Sequence, residues 1–162
     1  AHLRALGKPD GFCEVKVDET GEICVRGGCV MLGYYKDPEA TAETIDKDGW
    51  LHTGDLARVD EEGYYYMTGR KKNLIILDSG ENISPEELEG IVGKCEAVKE
   101  CVVKEMGKKI GVVVYCDEDK QQQVRDFITE ANRTLPLYKR MSAVEFSTEP
   151  LPRTSTGKLL RQ

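Results

Sequence analysis

The alternation of apolar and polar residues in the first part of the chain predicts short β-strands. Four segments have this pattern, over residues 12–17, 22–26, 50–56 and 64–68. Turn-forming residues separate them, for example Asp48 and Gly49. Asp37 followed by Pro38 predicts a short helix that ends by Asp46, because Asp caps a helix and proline fits its first turn. This part is therefore predicted to be a small antiparallel or barrel-like β unit.

The pattern after residue 72 combines apolar strands with amphipathic helices. Strand candidates cover residues 73–77, 98–104, 110–116 and 143–146. Ser84, Pro85 and Glu87 form a capping-box pattern that predicts a helix to about residue 94. A second helix over 120–134 has one apolar face, made of Val124, Phe127, Ile128 and Ala131. The predicted fold class is α+β, a small antiparallel β subdomain followed by a compact domain with a small sheet and flanking helices.

Composition excludes several classes of protein. The 162 residues are 40% hydrophobic and 32% charged, with a formal net charge of −6, which is not the composition of a disordered chain. No apolar run approaches the ~20 residues of a membrane span, and residues 1–11 lack the basic and apolar regions of a signal peptide. The acidic total argues against a nucleic-acid partner. The stretch from Lys139 onward is basic, which fits either a solvated tail or a surface that meets phosphates.

The six cysteines do not predict a metal site. None forms a CxxC pair, and only His2 and His52 are available as imidazole ligands. The spacing favours free, mostly buried thiols in a reducing cytoplasm. We therefore expect no metal site and a cytoplasmic location.

Four short motifs follow one another in a distinctive order. They are HTGD at 52–55, GRKK at 69–72, SGENISPEELE at 79–89 and TSTGK at 154–158. In this order and spacing the set resembles the carboxyl-terminal portion of the adenylate-forming enzymes. The segment GYYKDPEAT at 33–41 is similar to the acyl-CoA synthetase branch. The resemblance covers nearly the whole chain, from Leu6 onward.

The resemblance implies a two-step reaction and a domain arrangement. A carboxylate attacks the α-phosphorus of ATP to give an acyl-adenylate, and a thiol, usually of coenzyme A, then displaces AMP. A small carboxyl-terminal lid domain rotates between the steps. By this resemblance, residues 1–70 are the last β subdomain of a large amino-terminal adenylating domain, 71–72 are the hinge, and 73–162 are the lid domain.

The resemblance also assigns roles to residues of the first part. Asp55 matches the aspartate that accepts hydrogen bonds from the ribose hydroxyls of ATP, a task that suits two carboxylate oxygens. Arg70 matches an arginine that reaches the ribose and phosphates, and Met67 a position near the nucleotide. The residues alone also permit structural interpretations: Asp55 as a turn cap, Met67 as a core residue and Arg70 as a solvated strand end.

Three further roles come from the same resemblance. Lys72 matches the hinge, Gly80 matches a glycine that the pantetheine arm of CoA passes closely, and Lys158 matches the catalytic lysine that bridges the carboxylate and the α-phosphate during adenylation. The family often has two glycines before the glutamate, whereas Ser79 stands in place of the first. A solvated charge run at 70–72, a tight turn at Gly80 and a solvated Lys158 are the structural alternatives.

The expected protein is thus a fragment of an ATP-dependent acyl-CoA synthetase, with a fatty acid as the expected carboxylic acid substrate. ATP, Mg²⁺ and CoA are the expected substrates and ions of the whole enzyme. The family's phosphate-binding loop and its magnesium-contacting segment do not occur in the sequence, so we expect the adenylating domain to be incomplete and the fragment to be inactive. The alternatives are an adenylation domain that passes the acyl group to a carrier protein, or a non-catalytic binding module with the lid fold.

Overall fold

A computed structural model describes residues 5–161 and divides the chain into two compact units. The first unit ends at Lys72 and the second begins at Asn73. The predictions that involve residues 1–4, including His2, and residue 162 lie outside the described residues. Across residues 5–161, no helix combines the length and apolar character that crossing a bilayer requires.

The first unit is an antiparallel four-stranded meander with one short helix. The strand order is β1-β2-β3-β4, and the helix α1 lies between β2 and β3 in the chain. The elements are β1 Cys13–Val17, β2 Glu22–Gly27, α1 Pro38–Thr44, β3 Leu51–Val59 and β4 Tyr65–Arg70. The Asp37 carboxylate caps α1 by accepting the Ala40 N–H at 2.9 Å. The predicted antiparallel β subdomain is confirmed.

The second unit packs helices on a three-stranded sheet. This unit begins with a two-stranded ribbon and continues through a helix, a hairpin, a second helix and a last strand. The elements are β5 Ile75–Ile76, β6 Asn82–Ile83, α2 Pro85–Val92, β7 Glu100–Met106, β8 Lys109–Tyr115, α3 Gln121–Thr134 and β9 Met141–Ser147. Strand β8 is central, antiparallel to β7 and parallel to β9. The parallel pair requires a crossover, which α3 supplies. The α+β class is confirmed.

The core of the second unit lies between this sheet and its helices. Buried side chains from β7 and β8 meet Leu88 and Val92 of α2 and Val124 and Ile128 of α3. The predicted apolar face of α3 is correct, with Phe127 only partly buried beside it. Ser84 caps α2 as the sequence predicts, because its hydroxyl accepts the Glu87 N–H at 3.4 Å.

Two elements are shorter than the sequence predicts. The strand expected over 73–77 is reduced to Ile75–Ile76, because its partner β6 has only two residues and the chain turns sharply between them. A 3₁₀ turn over Lys71–Asn73 replaces its start. Helix α2 ends at Val92 instead of near residue 94, with Gly93 as its C-cap.

The expectation that all six cysteines are free is wrong for two of them. Cys13 and Cys29 form a disulfide, with Cα atoms 6.6 Å apart. The β1–β2 register places Cys13 opposite Gly27, and the turn that follows Gly27 directs Cys29 back toward β1. The other four are free; Cys24, Cys95 and Cys116 are buried. Cys101 is half-buried, and burial raises the pKa of its thiol to about 12.

Candidate functional site

Asp55 and Arg70 come together where the β3–β4 ladder ends, with Asp55 in the middle of β3 and Arg70 the last residue of β4. They are register partners across β3 and β4, and a guanidinium nitrogen of Arg70 lies 2.5 Å from Oδ1 of Asp55. This contact is an ion pair rather than an aligned hydrogen bond, and the buried oxygen has no other donor in the part of the chain that the structure describes. Antiparallel pairing thus joins two motifs that are separated in sequence.

The exposure of this pair leaves it able to bind a ligand. The Asp55 side chain is 27% exposed and that of Arg70 43% exposed, so the guanidinium retains donor groups that face solvent. A carboxylate beside an arginine offers both acceptors for hydroxyl groups and donors for phosphate or ribose oxygens. The residues present therefore fit a nucleotide.

The register of β3 and β4 also determines where Met67 lies. Leu56 pairs with Gly69 and Ala57 pairs with Met67, so one step along β3 corresponds to two along β4. Asp55 and Ala57 are two residues apart in β3, so their side chains lie on the same face of the sheet. Their partners Arg70 and Met67 therefore share that face, although they are three residues apart in β4, because the irregularity adds one residue to β4. Met67 is 44% exposed. Met67 therefore lies outside the buried core of this unit, whereas its register partner Ala57 is only 6% exposed.

A buried carboxylate lies behind the HTGD motif. Glu22 is 2% exposed, and its Oε1 accepts the Gly54 N–H at 2.7 Å. Its Oε2 accepts a hydrogen bond from Lys71 Nζ at 2.9 Å and lies 3.1 Å from Nδ1 of His52. Burial alone would raise the pKa of Glu22, but the hydrogen bonds from Lys71, His52 and Gly54 outweigh it and hold that pKa below its ordinary value.

Four possible metal-ligand atoms lie in this cluster. One atom each of Asp18, Glu22, Cys24 and His52 lies within 4.8 Å of the others. The oxygens are already used: Asp18 Oδ1 accepts hydrogen bonds from Thr20 and from the Glu22 N–H, and the Lys71 ammonium lies beside Glu22. An ammonium in this position supplies the positive charge that a cation would bring, so the residues fit a hydrogen-bond network better than a metal site.

The predicted hinge residue Lys72 is exposed and is the last residue of the first unit. It lies within the 3₁₀ turn over Lys71–Asn73. Its neighbour Lys71 differs, because its ammonium is held by Glu22. The GRKK motif is therefore not a uniform solvated charge run.

Gly80 lies in an exposed turn of the second unit. Its φ is +93°, a left-handed conformation that glycine adopts without strain. The turn is closed by a hydrogen bond from the Gly80 N–H to the Leu77 carbonyl at 2.8 Å. A Cβ added at Gly80 would meet no atom within 4 Å, so the backbone turn explains the glycine and leaves the surface beside it open.

Lys158 lies on a compact exposed loop near the end of the chain. The loop is closed at its base by a hydrogen bond from the Thr154 N–H to the Lys158 carbonyl at 2.7 Å. The Thr154 hydroxyl accepts the Lys158 N–H at 3.1 Å. The Lys158 side chain is exposed, and its ammonium forms no ion pair within residues 5–161. The loop thus fixes the backbone of Lys158 and leaves its charge available.

Two arginine–glutamate contacts hold this loop on the second unit. Arg153 donates to Glu100 of β7 at 2.5 Å, and the same carboxylate accepts the Leu151 N–H at 2.8 Å. Arg161, after the loop, donates to Glu89 of α2 at 2.7 Å. The predicted basic stretch from Lys139 is therefore largely paired, since Lys139 itself binds Glu87 at 2.7 Å.

The sequence interpretation missed Glu22 and Glu100 as parts of the site. Both lie at strand starts, where a charged residue is unremarkable in sequence. The only available signal was the position of Glu22 directly before an apolar strand residue, Ile23, in a chain of alternating pattern. The contacts that matter join residues separated by more than 30 positions, which periodicity does not report.

Comparison with known proteins identifies similar chains. A family model described as the AMP-binding enzyme C-terminal domain matches residues 72–162. A long-chain-fatty-acid–CoA ligase of Escherichia coli O157:H7 is 40% identical over 92% of this chain. A 4-coumarate–CoA ligase of Solanum tuberosum is 35% identical over 95%. The chain spans 27% of the first ligase and 29% of the second.

Solved structures show the same fold. An o-succinylbenzoate CoA synthetase from Bacillus subtilis, in complex with its acyl-adenylate intermediate, matches with a TM-score of 0.80 and 32% identity. The match covers 99% of this chain and 35% of that one. An amide bond synthetase from Marinactinospora thermotolerans matches with a TM-score of 0.82 and 26% identity, over 97% of this chain and 35% of that one.

Proposed function

This chain belongs to the family of AMP-binding enzyme C-terminal domains, and we propose that it is the carboxyl-terminal part of an ATP-dependent acyl-CoA synthetase. The parent enzyme would activate a carboxylic acid as an acyl-adenylate and transfer the acyl group to CoA. The observation that carries the proposal is the partly exposed Asp55–Arg70 pair, which joins two family motifs within 2.5 Å at the last pair of the β3–β4 ladder.

In the first half-reaction the chain binds and orients the nucleotide. Asp55 accepts the ribose hydroxyls, and Arg70 donates to ribose and phosphate oxygens. Lys158 brings one positive charge to the two anions, the carboxylate and the α-phosphate, where negative charge develops. Mg²⁺ neutralises the phosphates when bound, and we assign its ligands to the adenylating segment upstream of this chain.

In the second half-reaction the lid domain presents another face. Residues 71–72 would act as the hinge, since the division between the two units follows Lys72. Gly80 would allow the pantetheine arm of CoA to pass close to the backbone, which the open space beside it supports. The Lys158 loop would then face away from the adenylate.

A fatty acid is the proposed substrate, and CoA the proposed acceptor. The similarity to long-chain-fatty-acid ligases supports this choice. The 4-coumarate ligases and the amide bond synthetase among similar proteins keep a second candidate open, an adenylating enzyme with another acid or another acceptor.

The experiment is to express the longer parent protein and assay the two half-reactions separately. Pyrophosphate exchange that depends on an added carboxylic acid reports adenylation, and a series of fatty acids and aromatic acids identifies the substrate. Release of AMP is then compared with CoA, a carrier protein or an amine as acceptor. A parent protein that exchanges no pyrophosphate with any acid, and binds no AMP, would favour the non-catalytic binding module.

A further inference from the structure

We infer that Glu22 is a positioning residue for the nucleotide site. It fixes the positions of Asp55 and Arg70 by binding their chain neighbours, Gly54 and Lys71. The inference rests on the proposed function for its nucleotide part. One oxygen of the Glu22 carboxylate binds the backbone of Gly54, next to Asp55, and the other binds the ammonium of Lys71, next to Arg70. A single buried side chain therefore contacts the neighbours of both ligand-binding residues.

The local backbone makes these contacts necessary. Gly54 has a φ of +72°, a left-handed conformation that changes the direction of β3 directly before Asp55. The pairing of β2 with β3 also shifts register between Glu22 and Cys24. The Gly54 N–H therefore donates to a side-chain oxygen, Oε1 of Glu22, at 2.7 Å. Without Glu22 this amide would lose its charged acceptor and the turn its fixed direction.

The Lys71 contact constrains the end of β4 in the same way. Lys71 follows Arg70 directly and begins the 3₁₀ turn at the boundary of the units. The Lys71 side chain is 47% exposed, whereas the Glu22 side chain that it binds is only 3% exposed. A lysine that is free to extend into solvent instead reaches inward, because Glu22 is a buried charge that needs a partner.

Both oxygens of the Glu22 carboxylate have hydrogen-bond partners. His52, from the same HTGD motif, contacts the oxygen that Lys71 also binds, and its Nε2 lies 3.5 Å from the Asp46 carboxylate. Thr53 donates its hydroxyl to the Ile23 carbonyl at 2.8 Å, and this hydroxyl accepts the Asp55 N–H at 3.1 Å. The first three residues of the HTGD motif are thus attached to β2, His52 and Gly54 through the Glu22 carboxylate and Thr53 through the Ile23 carbonyl, and Asp55 is bonded in turn to Thr53.

The test combines hydrogen exchange with nucleotide binding. Glu22→Gln keeps the shape of the side chain and removes its charge. Lys71→Met removes the ammonium that Glu22 binds. Glu19→Gln is the matched control. Glu19 is an exposed carboxylate in the same β1–β2 turn. In the 162-residue chain, exchange of the Gly54 amide is followed by NMR. In the longer parent protein, the dissociation constant of AMP is measured by calorimetry.

We expect Glu22→Gln to accelerate Gly54 exchange and to raise the dissociation constant of AMP, each by about tenfold, the effect of losing one charge-assisted hydrogen bond. Lys71→Met should also weaken AMP binding. The double variant should weaken it by less than the product of the two single effects, because both remove one ion pair. Glu19→Gln should change neither quantity.

The outcomes separate this inference from the proposed function. Unchanged Gly54 exchange in folded Glu22→Gln would overturn the contact itself. Faster exchange with unchanged AMP affinity, in a parent that binds AMP, would overturn the positioning role. A wild-type parent that binds no AMP would instead refute the nucleotide site, and the exchange result would still decide whether Glu22 holds the turn.

Discussion

Replacing Lys158 by alanine should impair one half-reaction of the parent enzyme and leave the fold unchanged. The ammonium is exposed and forms no ion pair within the described chain, whereas the loop is held by its backbone and by Arg153 and Arg161. Removing an exposed, unpaired side chain changes the free energy of unfolding by at most about 0.5 kcal/mol. A loss of activity in Lys158→Ala can therefore be attributed to the missing charge.

The expected loss follows from the role proposed for this charge. A single preorganised donor that faces developing negative charge contributes about 2.7–4 kcal/mol, or roughly 10²–10³-fold in rate. Adenylation, measured as pyrophosphate exchange, should fall by that factor. The reaction of CoA with supplied synthetic acyl-adenylate should barely change, because in the conformation proposed for the second half-reaction the Lys158 loop faces away from the adenylate. Asp55→Ala should weaken both half-reactions, since its ribose contact serves each.

Lys94→Ala is the matched control for this experiment. Lys94 is another exposed lysine of the second unit, and its loss should leave both half-reactions unchanged. Equal slowing of the two half-reactions by Lys158→Ala would refute the reasoning, because the lysine would then act as a general anion contact in both conformations.

Three further predictions concern the chain itself. The isolated 162-residue chain should show no pyrophosphate exchange with a panel of fatty acids, since the expected phosphate-binding loop is absent from its sequence; exchange above background would contradict this. Limited trypsin digestion should cut first after Lys72 rather than after Lys71, because the Lys71 side chain is held by Glu22. It should release a stable piece from Asn73 onward. Mass spectrometry identifies the early products, and early cuts elsewhere would count against a mobile hinge. Because the pKa of Glu22 lies below its ordinary value of 4.5, its stabilisation should be complete above that pH and lost as pH falls through the folded pKa. Urea denaturation followed by the fluorescence of the single tryptophan, Trp50, should show this loss, and Glu22→Gln should remove that part of the pH dependence.

The sequence by itself determined the elements whose signals are local. The cap at Ser84 and the apolar face of α3 depend on residues within one or two helical turns, and both agree with the structure. The order of four motifs was also sufficient to identify the family that the comparisons show. The binding and catalytic roles of all the site residues remain predictions from that resemblance, namely those of Asp55, Met67, Arg70, Lys72, Gly80 and Lys158.

Only the tertiary structure decided which distant residues meet. The register of β3 and β4 places Asp55 against Arg70 and turns Met67 onto the same face. The Cys13–Cys29 disulfide and the shortening of the strand at 73–77 likewise depend on which segments pair. Glu22 shows the reason most clearly: a glutamate at the start of a strand has no local preference for burial, and it is buried here because Gly54, His52 and Lys71 converge on it from distant positions. Periodicity reports which face of an element is apolar, whereas the partners of a buried charge are set by strand pairing between segments far apart in the chain.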